Sequence, residues 1–279
     1  NESLNGIWNY KVIAEVYNQF NEKEQTWPYY SFYLYEDPSI NFSKRPQVQS
    51  YTQNSKSALF NGMIHPIIPY NIKGSIWYQG ENNVSRFKEY ETLFPAMIKD
   101  WRKKWSSDFP FYFVQIAPFE NYNGLSSSLR NVQRKTLKVE KTGMVVTLDI
   151  GEIDDIHPSN KHDVGYRLAG LALSNDYGKP MVASGPLYEN FEVSGNKLIV
   201  TFDFVGSGLT SYDKELTAFE IAGTDKKYVT AKAYIENNKI YIYSSKIQNP
   251  KYARYAWKDT SVASLFNKEG LPASTFTTE

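Results

Sequence analysis

The chain has 279 residues, 41% of them apolar and 22% charged, with a formal net charge of +1, which reads as a soluble globular protein long enough for two ordinary domains. The near-neutral balance speaks against nucleic acid as a main partner, and no apolar run approaches the length of a membrane span. Absence of cysteine excludes disulfides, thiol nucleophiles and thiolate metal sites together.

The start carries neither Met nor a signal-peptide pattern, as a processed or cut terminus would. Residues 1–60 form a poorly defined lead-in. There the segment 10–17 spaces its apolar residues as a helix does, while Trp27-Pro28-Tyr29-Tyr30 and the polar run 47–57 read as loop. From Gly74 the pattern becomes regular. It predicts a strand at 74–78, a helix near 87–105, a strand at 111–116, a helix near 127–141, a strand at 144–149 and a helix near 160–173. Strands that are apolar throughout and alternate with amphipathic helices predict parallel β-α units covered on both faces, and right-handed crossovers bring their successive loops to one sheet edge. The run Arg102-Lys103-Lys104 ends a helix, where cations suit the macrodipole. Beyond about residue 180, short alternating runs at 198–202, 218–221, 231–235 and 239–243, separated by Gly, Asn and Asp turns, predict a small β-sandwich-like domain over 181–279. The content of 22 Tyr, 16 Phe and 6 Trp suits sugar stacking as well as core filling, and core filling is the commoner use.

Two clusters lie where strands give way to loops, the place where open α/β sheets bind ligands. The first is Gln79-Gly80-Glu81-Asn82-Asn83, after the strand at 74–78. It gathers amide donors around a tight turn, as acyl transfer needs for a developing oxyanion, with Gln79 or Asn82 the candidate donor and Glu81 free to orient a neighbouring loop or hold a sugar hydroxyl. Gly and Asn are also common in any such turn. The second is Asp154-Asp155-Ile156-His157-Pro158, after the strand at 144–149. Here His157 is the candidate general base and Asp154 its orienter; the plain alternative is a polar loop whose Asp caps a turn. His162 falls in Asn160-Lys161-His162-Asp163, which has the form of a capping box with Asn160 as N-cap. His65, between apolar residues, reads as buried and hydrogen-bonded. A metal site built from Asp154 or Asp155 with His157 and His162 lacks a further ligand at a recognisable spacing, so no metal is assigned.

Several segments together resemble the sialate O-acetylesterase family of SGNH hydrolases. They are Asn61-Gly62-Met63-Ile64-His65-Pro66, Lys73 to Asn83, Phe94 to Arg102, Phe111 to Pro118, Asp155 to Lys161, and the tail Asn267-Lys268-Glu269-Gly270-Leu271-Pro272-Ala273-Ser274. The resemblance implies a flavodoxin-like α/β sheet over 1–180 followed by the all-β domain. It also implies a carbohydrate O-acetyl esterase that works without a cofactor, an acetylated sugar or glycan as substrate, and a periplasmic or extracellular location. The family's nucleophile stands in a Gly-x-Ser-Asn block after the first strand, and no such block occurs here; Ser75 falls inside a strand and Ser126-Ser127-Ser128 begins a helix. If 74–78 is the family's third strand, the sheet lacks its first strands. The Ser block is then expected from an N-terminal piece that is cleaved, omitted or supplied by a companion chain. The competing expectation is an inactive glycan-binding or structural module.

Overall fold

The structure, a computed structural model, describes residues 14–17, 31–34, 52 and 55–279. Contacts divide the chain into two units, Asn1–Tyr70 and Asn71–Glu279. In the first, β1 (Ala14–Tyr17) pairs antiparallel with β2 (Ser31–Leu34), Ala14 opposite Leu34 and Tyr17 opposite Ser31. The helical spacing expected over 10–17 is therefore not realised at 14–17. Val16 and Tyr17 favour extended backbone, and a partner strand outweighs so short a period. The loop expected at 27–30 lies outside the described residues. Two helical turns follow, Phe60–Ile64 and His65–Ile67.

The second unit opens with β3 (Ser75–Trp77), α1 (Phe87–Trp105), β4 (Phe111–Val114), α2 (Ser126–Thr136), β5 (Thr142–Val145) and α3 (Lys161–Asn175). The three strands form a parallel sheet in the order β3-β4-β5, with Ser75 opposite Phe111 and Phe111 opposite Thr142. All four residues of β4 are buried. Phe111 and Phe113 face α1 and α2 within one apolar cluster, whereas Tyr112 and Val114 join Val145, Val164, Leu168 and Leu171 in a second cluster under α3. Side chains that alternate between the two faces of the sheet produce this division: α1 and α2 pack on one face, and α3, after the last strand, packs on the other. Trp77, Phe94, Trp101, Phe111 and Phe113 meet ring to ring at centroid distances of 5.1–6.4 Å, so much of the aromatic content serves as core. Arg102 does more than suit the helix end. Its guanidinium donates to the carbonyls of Phe109, Glu140 and Lys141 and ties the starts of β4 and β5 together.

The remainder is antiparallel. One sheet has the order β11 (Lys232–Glu236), β12 (Lys239–Tyr243), β7 (Lys197–Asp203), β6 (Leu187–Ser194); the other has β10 (Val229–Thr230), β9 (Phe219–Ala222), β13 (Tyr252–Tyr255), β15 (Phe276–Thr277). A small pair joins β14 (Phe266–Asn267) and β8 (Leu209–Thr210). Leu198, Val200, Ile240 and Ile242 of the first sheet and Phe219, Ile221, Ala253, Tyr255 and Phe276 of the second share one buried cluster, as the two inner faces of a sandwich do. That cluster continues without a break into Phe113, Leu129 and Val132 of the α/β layer. The element passing between the layers is α2, eight of whose residues are buried although its sequence, SSSLRNVQRKT, is mostly polar.

Candidate active site

The turn after β3 is built around Gly80, whose φ of +154° and lack of side chain are both required: a Cβ there would meet Ile116 Cγ2 at 3.0 Å and Gln133 Nε2 at 3.1 Å. The turn thus rests directly on β4 and α2. Gln79 is locked into this support. Its Nε2 donates to Asn83 Oδ1 at 2.7 Å, its Oε1 accepts from the Tyr90 hydroxyl at 3.2 Å, and its carbonyl accepts from Gln133 Nε2 at 3.4 Å. One Nε2 hydrogen and the Oε1 acceptor of Gln79 are thus engaged in the support of the turn, and the second Nε2 hydrogen has no partner among the described residues. Asn82 is the amide left exposed, on the short helical stretch Glu81–Arg86. Tyr78, just before the turn, has its hydroxyl pKa pushed up to about 12 by burial and, secondarily, by the Glu81 carboxylate.

The loop after β5 is anchored at both ends. At its root Arg167 forks onto Asp149 with contacts of 2.8 and 2.5 Å and donates to the Val146 carbonyl. At its far end Glu152 accepts from both the amide and the hydroxyl of Ser159, at 2.7 and 2.5 Å, and these bonds hold its carboxyl below the usual carboxylate range. Asn160 caps α3 as its spacing predicts, accepting from the Asp163 amide at 3.1 Å and donating to the Asp163 carboxylate at 2.9 Å. His157 sits between these anchors with its side chain 87% exposed. The nearest carboxylate to its imidazole is Asp155, Oδ1 standing 4.0 Å from Nδ1. That same oxygen accepts from the His157 backbone amide at 2.7 Å, an Asx turn that shapes the loop. Asp154, the expected orienter, is exposed and has no hydrogen-bond or ion partner among the described residues. A distance of 4.0 Å is too long for a hydrogen bond, so the imidazole is not yet fixed by either acid.

Parallel strands bring both loops to the carboxyl edge of the sheet, two strand spacings or about 10 Å apart across β4. Lys161 joins them: its Nζ donates to the Pro158 carbonyl at 2.6 Å and lies 5.1 Å from the centre of the Tyr78 ring. The intervening loop, which follows β4, is tied to the His157 loop by the Glu120 amide and the Ile153 carbonyl at 2.9 Å. It carries Tyr122, whose hydroxyl pKa is raised by burial and, secondarily, by the Glu81 carboxylate. Tyr122 and Glu120 fall in a turn-rich stretch, Glu120-Asn121-Tyr122-Asn123-Gly124, and only their placement between the two clusters marks them.

The other sequence candidates lie elsewhere. His65 is exposed within the first unit, edge-on to Phe60 at 6.3 Å, which corrects the expectation of a buried ring. His162 is also exposed, with Nδ1 3.1 Å from its neighbour Asp163. Among the described residues no three of His, Asp and Glu converge as metal ligands. Ser126 and Ser127 are fully buried, the former donating to Asp259, and Ser75 lies within β3. A cleft of about 1190 Å³ opens near the starts of β4 and β5, lined by Tyr112, Thr142 and Tyr188 among others. It is at the opposite end of the strands from His157. No helix among the described residues is long and apolar enough to cross a membrane.

A family model described as carbohydrate esterase, sialic acid-specific acetylesterase, matches residues 45–174. The sialate O-acetylesterase of Mus musculus is 32% identical over 193 residues, 60% of this chain and 36% of that protein. That of Homo sapiens is 32% identical over 179 residues, 56% and 34%. The crystal structure of a novel carbohydrate acetylesterase from Xanthomonas citri superposes with a TM-score of 0.76 at 38% identity, covering 79% of this chain and 54% of the other. The chain therefore spans about a third of the curated relatives it matches and about half of the solved one. These comparisons do not support the expectation of a separate companion chain.

Proposed function

We propose, from the match of residues 45–174 to the carbohydrate esterase, sialic acid-specific acetylesterase family model, that the chain forms the acid-base side of a carbohydrate O-acetyl esterase of the SGNH type, exported to the periplasm or beyond. The observation that carries the proposal is the meeting, through Lys161 and Tyr78, of the Gly80 turn with the His157 loop at one sheet edge. His157 Nε2 takes the proton of a serine hydroxyl as that oxygen attacks the acetyl carbonyl, then returns it to the sugar oxygen as the ester bond breaks. A second round with water releases acetate. The Asn82 amide and the Gly80 backbone N–H face the oxyanion, and Glu81 lies beside them. Asp154, which is unengaged, swings to Nδ1 when the site closes, while Asp155 keeps the loop in shape through the His157 amide. The serine is not Ser75, Ser126 or Ser127, which are packed into elements; the reading takes it from a Gly-x-Ser-Asn block outside this sequence. Acyl transfer of this kind uses no cofactor.

The test is acetate release from an aryl acetate by the full-length protein. His157→Ala is expected to lower kcat by about 10²- to 10⁴-fold, and Asp154→Asn to cost more than Asp155→Asn. Wild-type rates from His157→Ala would refute the assignment of the base. Saturable binding of acetylated glycans by full-length protein with no turnover would instead favour the inactive glycan-binding module.

A further inference from the structure

Resting on the esterase reading above, we propose that Arg167 is a positioning residue: by closing the chain on itself at Asp149 it fixes where the loop 146–160 presents His157, without touching the substrate.

The loop leaves β5 at Val146 and returns to the fold at Asn160, the N-cap of α3. Arg167, in the second turn of that helix, reaches back eighteen residues to Asp149 at the loop's root. Its Nη1 donates to the Val146 carbonyl at 2.7 Å and to Asp149 Oδ1 at 2.8 Å, and its Nη2 to Asp149 Oδ2 at 2.5 Å. A guanidinium forked onto both oxygens of a carboxylate fixes direction as well as distance. With the two side chains only 10% and 17% exposed, water and salt weaken the pair little.

Inside this ring lies a smaller one, closed by Glu152 on the amide and hydroxyl of Ser159, seven residues apart. His157 belongs to the inner ring, and its neighbour Ile156 packs against the core. The segment joining the two closures is held from the side as well. The Leu148 carbonyl accepts from the Ala263 amide at 3.1 Å, and the Ile153 carbonyl from the Glu120 amide at 2.9 Å. Gly151 lies so close to the β4 loop that a Cβ there would meet Pro118 Cδ at 2.5 Å. The inner ring therefore moves as a unit, and the root that Arg167 sets decides its angle to the Gly80 turn. Lysine cannot do the same, because an ammonium is a point donor and does not span both carboxylate oxygens in one plane. A displacement of about 1 Å at the reacting groups costs on the order of 10²-fold in rate.

The experiment measures kcat and KM for an aryl acetate with full-length protein across pH, together with hydrogen exchange at the amides of Glu120 and Ala263. Arg167→Lys and Asp149→Asn should each lower kcat about tenfold or more, with KM changed less than about twofold. Arg167→Lys keeps the charge, so its loss should be the same at every pH. The double variant should lose no more than the worse single one, since either substitution opens the same closure. Exchange at Glu120 and Ala263 should quicken in both single variants. Arg102→Lys is the control. It loosens a guanidinium that also bonds three backbone carbonyls, at the opposite end of the strands, so its thermal midpoint should fall while kcat stays at the wild-type value. Unchanged kcat in Arg167→Lys and Asp149→Asn, multiplied losses in the double variant, or an equal loss in Arg102→Lys would overturn the proposal. If the wild-type protein cleaves no acetate ester, the esterase reading falls instead; exchange then tests the closure alone, and unchanged rates would overturn that too.

Discussion

The molecule contains two polar assemblies of opposite character, one around Arg130 and one around His157. Arg130 is fully buried within α2, yet its Nε donates to Thr275 Oγ1 at 3.0 Å and its Nη2 to the carbonyls of Ala256 and Lys258 at 3.0 and 2.8 Å. Desolvation lowers its pKa to about 10. One turn earlier, the Asp259 carboxylate of the β-domain accepts from the amides of Gly124 and Ser126 and from the Ser126 hydroxyl, at 2.6, 3.0 and 2.6 Å, so α2 is N-capped from outside its own segment. Around His157, by contrast, the side chains are exposed, and Asp154, Glu81 and Asn82 are uncommitted. Apart from Arg130 Nη1, which has no hydrogen-bond partner, the groups of the first assembly are buried and paired and hold the layers together; polar groups left unpaired at a strand edge are available for chemistry. The antiparallel domain is thus part of the framework on which the β4 loop, and with it Tyr122, is held.

This contrast predicts that substitutions at the edge change rate without changing stability and that substitutions at α2 do the reverse. His157→Ala should show the largest effect on rate, the 10²- to 10⁴-fold loss above, with the thermal midpoint unmoved because the ring is 87% exposed; a fall of several degrees would break the division. Arg130→Ala should destabilise by about 3 kcal/mol, since it leaves a cavity and strands the carbonyls of Ala256 and Lys258, and urea unfolding would report it. Asp259→Ala removes the cap and should cost about 1–2 kcal/mol, with faster amide exchange at Gly124 and Ser126; unchanged exchange there would mean that another group caps the helix. Ser159→Ala should have the smallest effect. In the folded chain the Ser159 bonds depress the Glu152 pKa, so their stabilising effect is present above the ordinary value of 4.5 and fades as pH falls through the depressed one. Loss of the hydroxyl bond, with the Ser159 amide still donating, should move the Glu152 titration, followed by NMR, part of the way back toward that ordinary value. An unchanged titration would assign the depression to the Ser159 amide and Lys161 instead.

How much of this was legible beforehand depended on whether the signal was local. The helix at Phe87–Trp105 was read at its observed ends because an apolar stripe and a terminal basic run are written within it. The strand expected at 144–149 is observed at Thr142–Val145; the buried run 146–148 continues past the ladder as the apolar root of the His157 loop, and a single apolar run does not mark where pairing stops. The capping role of Asn160 was local and legible. The commitment of Gln79 to Tyr90 and Asn83 was not, since an amide in a Gly-Asn turn looks the same whether its donor points out or in.

By itself the sequence determined the alternation of apolar strands and amphipathic helices, the change to an antiparallel domain and the two loops where chemistry is expected, because each rests on side-chain periodicity or turn residues within a few positions. Tertiary structure alone decided which of those polar residues are free. It buried SSSLRNVQRKT between two layers, set Asp259 at the end of α2, and placed Asp155 rather than Asp154 beside the imidazole. Hydrogen-bond partners 40 to 140 residues apart in sequence, such as Gln79 with Gln133 and Ser126 with Asp259, leave no periodic trace in the chain. They exist only once the layers have packed.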